Sequence, residues 1–315
     1  QKPQLELCKI IAKTIPNKTT AVYLTNSGTE ATEGALKLAK RFTGRTEIIA
    51  AKNAYHGNTQ GAMSVCGAEE QNQAYRPLIP GVKFIEFNNE IDLNKITHKT
   101  AAVILETIQG GAGFIEPTNK YLQKVKAACE SVGALLILDE IQSGIGRTGK
   151  FWGFENYQVT PDIIIAGKGL GGGMPIGAFI ASKEIMKVLQ DKPKLGHITT
   201  FGGHPVIAAA GLATIIELNN SSLIKDTLRK EQLFRSYLKH SSINEIRGKG
   251  LMLALLVDSP ELASKIILKC LEEGLLLFWL LFEGKAIRIT PPLTISDEEI
   301  KKGCEVILKV IEEIQ

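Results

Sequence analysis

No apolar stretch in the sequence exceeds the eight residues at 275–282, well short of the roughly 20 that a membrane-spanning helix needs. No membrane helix is therefore expected. Cysteine is equally sparse: Cys8, Cys66, Cys129, Cys270 and Cys304 are odd in number, far apart and never in a CxxC pair. That argues against a disulfide framework and a zinc site, and it fits a reducing, cytoplasmic setting. Charge of one sign does not accumulate either. The 37 Lys and Arg and 33 Asp and Glu are spread along the chain, so the net charge of +4 offers no basic run to a nucleic acid. The first 15 residues lack the charged segment, apolar core and small-residue cleavage site of a signal peptide. The chain opens on Gln1 rather than Met, as a fragment or processed form would. Repeats and low-complexity tracts are missing as well.

What is present is the composition of a folded enzyme, 44% hydrophobic over 315 residues, enough for one large unit and a smaller one. Apolar runs of strand length at 21–24, 47–51, 82–86, 101–106, 134–139, 162–166 and 177–181 alternate with amphipathic helical segments. At 29–43, Ala31, Ala35, Leu38, Ala39 and Phe42 share a face; at 119–132, Leu122, Val125, Ala128 and Cys129 do. This rhythm predicts an α/β fold with a mostly parallel sheet sandwiched by helices. A long helix at 206–218 leads to a region of different texture, with helices at 223–238 and 262–273 and short strands near 245–256 and 286–289. The expected division is a large domain at 1–210 and a small C-terminal α+β domain at 211–315.

Four local features carry chemistry. Asn26-Ser27-Gly28-Thr29 lies between a strand and a helix, where free backbone N–H groups at the positive end of the helix dipole suit a phosphate. Taken alone, ordinary N-capping by Ser27 or Thr29 explains it better. The apolar strand 135–138 ends in Asp139 and Glu140, and an acid at the carboxyl end of a parallel strand points into the usual ligand crevice. An ATPase strand reads the same way, but none of the four Gly-Lys pairs in the chain is followed by Ser or Thr, so a P-loop partner is lacking.

The third feature is Lys168, just past a buried strand and set in Gly167-Lys168-Gly169-Leu170-Gly171-Gly172-Gly173. A lysine so placed, flanked by glycines that leave space around its ammonium, is in a setting that can lower its pKa and free it as a nucleophile toward a carbonyl. The same residues formally match a GxGxxG dinucleotide fingerprint, but that motif opens a helix, and three glycines followed by Pro175 disfavour one. Last comes Thr199-Thr200-Phe201-Gly202-Gly203, a glycine-rich turn before a long helix.

In their order, Asn26-Ser27-Gly28-Thr29-Glu30-Ala31, Ala54-Tyr55-His56-Gly57, Asp139-Glu140-Ile141-Gln142-Ser143-Gly144 with Gly146-Arg147-Thr148-Gly149, Lys168 among its glycines, and Thr200-Phe201-Gly202-Gly203 resemble the class III aminotransferases. These are fold type I enzymes that use pyridoxal 5′-phosphate (PLP). The likeness runs from about residue 20 to residue 295 and is nearest the acetylornithine and ornithine enzymes.

The resemblance implies a homodimer with shared active sites, working on an amino acid and an oxo acid, with 2-oxoglutarate and glutamate as the second pair. It makes Lys168 the covalent attachment point and acid–base group, and Asp139 the anion beside the pyridine nitrogen. Gln142 then donates to the ring hydroxyl, Tyr55 stacks on the ring with His56 beside it, and Ser27, Gly28 and Thr29 form the phosphate cradle. Thr200 reaches the phosphate from the neighbouring subunit, and Arg288 holds the substrate carboxylate. Three departures matter. The relatives have a longer N-terminal segment; Asn58 stands where ornithine-type relatives carry an Arg; and Gly111 stands where they carry a Glu that pairs with the arginine matching Arg288. An aminomutase, racemase or decarboxylase would keep the same cofactor set, and a nucleotide-binding α/β protein remains the alternative outside PLP chemistry.

Overall fold

The computed structural model describes residues 1–16, 20–191 and 193–314. Its large sheet holds seven strands, β1 (Thr20–Thr25), β2 (Glu47–Ala51), β3 (Val82–Ile85), β4 (Thr100–Glu106), β5 (Leu135–Asp139), β6 (Ile163–Ala166) and β7 (Gly177–Ser182), in the order β1-β7-β6-β5-β4-β2-β3. Strands β3, β2, β4, β5 and β6 run parallel, whereas β7 is antiparallel to both β6 and β1. The exception has a simple cause. Parallel neighbours need a crossover of a dozen or more residues, usually a helix, and between β6 and β7 the chain has only the ten residues 167–176 with a single short helical turn, so it folds back antiparallel.

Both faces of the central strands are covered, which is why β4 and β5 read as continuous apolar runs instead of alternating ones. Val103, Leu105, Leu136, Leu138 and Ile164 pack on one layer with Leu7, Ile11, Leu122 and Val125. Ala102, Ile104, Ile137, Ile163 and Ile165 face the other, against Ala31, Ala35 and Leu38 of the Gly28–Thr43 helix. That helix is stopped by Gly44, whose φ of +68° closes it in the left-handed conformation that glycine adopts most easily.

The smaller sheet is antiparallel throughout: β8 (Glu245–Lys249), β9 (Met252–Leu256), β10 (Phe278–Trp279) and β11 (Ala286–Ile289), in the order β10-β11-β9-β8. Its core is closed by the helices Leu223–Tyr237, Pro260–Glu272 and Asp297–Glu313, through Phe234, Ile266, Ile267, Ile307 and Val310. The Pro205–Asn220 helix puts Ala208, Ile215 and Leu218 into the core of the large sheet.

Two long helices lie outside the segments read from the sequence. Lys2–Lys13 buries Leu7 and Ile11, and Asp297–Glu313 starts at a reciprocal cap between Ser296 and Glu299. Among the described residues no single helix is long and apolar enough to cross a membrane.

This topology positions the site. The carboxyl ends of β1, β4, β5 and β6 all emerge on one edge of the sheet, with Glu106 opposite Asp139 and Asp139 opposite Ile165 in register.

Candidate active site

A cleft of about 550 Å3 opens on that edge. Ser27, Gly28, Thr29, Tyr55, His56, Asp139, Gln142, Lys168 and Arg288 all line it.

At its floor, Asp139 ends β5 and is buried. Its Oδ1 accepts the backbone N–H of Ile141 at 2.9 Å, and its Oδ2 lies 2.8 Å from Nδ1 of His56. An ionised carboxylate has no proton to give, so His56 is the donor. The other ring nitrogen, Nε2 of His56, is buried with no hydrogen-bond partner among the described residues. His56 is fixed from behind by its backbone, whose N–H meets Cys66 Sγ at 3.1 Å and whose carbonyl accepts the Thr32 hydroxyl at 2.9 Å. The loop carrying Tyr55 and His56 then crosses the start of the Gly28–Thr43 helix at Gly57. There φ is +128° and a Cβ would sit 2.1 Å from Thr29 Oγ1, so only glycine fits.

Glu140, next in sequence, does not reach the cleft. It is fully buried, accepting the hydroxyls of Thr107 and Ser143 and the backbone N–H groups of Gly153 (2.6 Å) and Phe154 (2.9 Å). Of the two acids ending this strand, one faces the crevice and the other ties three loops together.

Lys168 occupies a short turn, Lys168–Gly171, immediately after β6, with φ at +42°. A side-chain-bearing residue in the left-handed region costs on the order of 1 kcal/mol. The GxGxxG match thus ends in a tight turn, not in the helix a dinucleotide site requires. Among the described residues the Lys168 ammonium makes no hydrogen bond or salt bridge, and the surface it exposes faces the cleft. Burial pushes its pKa down; the charges of Asp139 and Glu106 pull it back up, and Arg288 lowers it further.

At the far end, Ser27 caps the Gly28–Thr43 helix by accepting the N–H of Glu30 at 3.3 Å. Capping and cleft lining are therefore both true of this turn. Gly28 packs so closely that a Cβ would come within 2.6 Å of Ile141 Cδ1. Arg288, on β11, donates from Nε to Thr290 Oγ1 at 3.0 Å and has no carboxylate partner among the described residues. Near it, Arg147 donates to the carbonyls of Leu251 (3.1 Å) and Pro291, and burial with the charge of Arg288 lowers its pKa to about 10.

Thr200 stands apart. It is exposed, on the segment leading to the Pro205–Asn220 helix, and does not line the cleft of its own chain. Sequence reasoning also missed two parts of the site. One is Glu106, at the end of β4; its register beside Asp139 was the available signal. The other is the wall Phe278-Trp279-Leu280-Leu281, part of the apolar run whose length alone had drawn notice.

The sequence matches the family described as "Aminotransferase class-III" over residues 1–311. The chain belongs to the class-III aminotransferases. It is 40% identical to the acetylornithine aminotransferase of Caldanaerobacter subterraneus, covering 99% of this chain and 80% of the relative. It is 36% identical to a [LysW]-aminoadipate semialdehyde/glutamate semialdehyde transaminase of Sulfolobus acidocaldarius, over 96% of this chain and 78% of that one. Among solved structures, the ornithine aminotransferase of Toxoplasma gondii superposes with a TM-score of 0.91 at 32% identity, covering 99% of this chain and 76% of that one. Another structure of the T. gondii enzyme is described with partial occupancy of PLP at its active site.

The fold is accordingly fold type I, and the protein is a PLP-dependent aminotransferase. The residues present fit the cofactor. A helix N-terminus offers its first N–H groups to a phosphate, a buried carboxylate suits a cationic ring, and Nε2 of His56 is buried with no hydrogen-bond partner among the described residues.

Proposed function

We propose that this cleft moves an amino group between an amino-acid donor of the acetylornithine or ornithine type and 2-oxoglutarate. The observation that carries the reading is the meeting, in one cleft, of an amine without an ion-pair partner among the described residues (Lys168), a buried carboxylate (Asp139) and the N-terminus of the Gly28–Thr43 helix.

Bound there, PLP supplies an electron sink for the charge that develops at the substrate Cα. Lys168 would be the residue that holds the cofactor covalently, and its amine would move the proton at the substrate Cα as base and then acid. Burial lowers its pKa, in the direction of the neutral amine that attachment and proton removal need. Asp139 would keep the pyridine nitrogen protonated, its carboxylate held in direction by the hydrogen bond from His56. Gln142 would donate to the ring hydroxyl, Tyr55 would cover a ring face, and Ser27, Gly28 and Thr29 would hold the phosphate, all of them lining the cleft. Arg288 takes the substrate carboxylate in bidentate fashion, since no protein carboxylate competes for it among the described residues.

The working form in this reading is a cytoplasmic homodimer in which Thr200 of each subunit contacts the phosphate in the other. The exposure of Thr200 supports it, as does that of its apolar neighbours Ile198, Phe201 and Val206, with Phe201 65% exposed.

The test is product analysis with acetylornithine or ornithine, with and without 2-oxoglutarate. Glutamate formed only when both substrates are present supports transamination, whereas loss of CO2 or racemised donor without the oxo acid contradicts it.

A further inference from the structure

Glu106 is the last residue of β4 and stands opposite Asp139 in the parallel register, so two acids sit side by side beneath the cleft. It is only 8% exposed and has no salt-bridge partner among the described residues. A lone buried carboxylate is costly, by several kcal/mol before hydrogen bonds offset it. Its two oxygens face two different loops. Oε1 accepts the N–H of Tyr55 at 3.1 Å, in the loop after β2, and Oε2 accepts the N–H of Gly110 at 2.9 Å, in the turn after β4. That turn is packed hard against the opposite side of the site: a Cβ at Gly110 would lie 2.6 Å from Gln142 Oε1 and 2.9 Å from Glu106 Oε2.

We propose that Glu106 is a positioning residue that clamps the two walls of the cleft, holding Tyr55 over the cofactor ring with one oxygen and the Gly110 turn beside Gln142 with the other. The inference rests on the reading of the cleft as the PLP site.

A neutral amide cannot substitute. Both contacts come from N–H donors, and a glutamine has one acceptor oxygen, so its NH2 group would face the second donor. The carboxylate is also within electrostatic reach of the reacting groups. It raises the pKa of Lys168, as Asp139 does, and its own charge is opposed by Asp139 and favoured by His56. Burial is the largest influence on Glu106 itself and lifts its pKa to about 7, against the two N–H bonds that lower it.

The experiment titrates PLP into the cofactor-free full chain, wild type, Glu106→Gln and Glu106→Asp. It follows affinity and the pH midpoint of the visible band of the bound cofactor, with the melting temperature of the cofactor-free protein as control. Glu106→Gln should weaken PLP binding by about tenfold, the scale of one lost hydrogen bond to a charged group. It should also move the midpoint to lower pH, because the charge that raises the Lys168 nitrogen is gone. Glu106→Asp keeps the charge but is one methylene too short to span both N–H groups. It should lose affinity by a similar factor with its midpoint near the wild-type value, and it decides the matter if the Gln variant fails to fold.

Unchanged affinity in either variant overturns the clamp. A lowered melting temperature with wild-type affinity and midpoint would make Glu106 a plain structural brace and overturn it equally. A wild-type chain that binds no PLP would instead end the underlying reading of the cleft.

Discussion

Asp139 Oδ2 and His56 Nδ1 lie 2.8 Å apart, with both side chains buried at the end of β5. The pair, together with the Ile141 N–H on the other oxygen, gives the carboxylate a fixed direction. On the account above, its charge is what keeps the pyridine nitrogen protonated. Asp139→Asn preserves the shape and removes the charge, so PLP should still bind while kcat falls by about a hundredfold or more, the scale of a lost electrostatic contact to developing charge. Single-turnover kinetics with a Cα-deuterated donor would locate the loss in proton removal; near-normal turnover would refute the role.

Glu140 should behave in the opposite way, as a stability residue. Glu140→Ala leaves the N–H groups of Gly153 and Phe154 without their acceptor and should cost about 3 kcal/mol or more in denaturant unfolding. The pH dependence has a definite sign. Burial raises the folded-state pKa from an ordinary 4.5 to about 7, so the folded protein binds the extra proton. The contribution of Glu140 is full below pH 4.5 and is lost as pH rises through about 7. Wild type should therefore lose stability relative to Glu140→Gln across that interval, and a constant difference would contradict the assignment.

Arg288 is expected to hold the carboxylate of both donor and oxo acid. Arg288→Lys keeps the charge and loses the planar fork, so KM for the two substrates should rise together, by roughly tenfold or more for one charged hydrogen bond lost. PLP affinity should stay where it was. Unchanged KM for both substrates would mean that the carboxylate is held elsewhere.

Much of this molecule was legible in the sequence because its signals are local. The buried strands β4 and β5 are unbroken apolar runs, and the Gly28–Thr43 helix carries its cap, its apolar face and its terminal glycine within one segment. Asp139 and Lys168 could be singled out as candidates because the first ends such an apolar strand and the second comes just after one. What escaped depended on contacts between distant segments. The reversal at β7 follows from the length of a connection, and Glu106 gains its meaning only from the neighbouring strand.

Gly111 shows the same limit. Its sequence position suggested a missing acid, but the structure gives the reason: a Cβ there would sit 2.9 Å from the ring of Phe282, whose N–H bonds the Gly111 carbonyl at 2.9 Å. The Asp297–Glu313 helix, by contrast, had a full capping signature at Ser296 and Glu299 and was open to sequence reading.

The central claim is that Lys168 carries the cofactor. Reduction of the PLP-loaded protein with borohydride, followed by peptide mapping, tests it most directly. The account predicts a stable pyridoxyl label on Lys168 and its loss in Lys168→Ala; a label on any other lysine, or none, would contradict it.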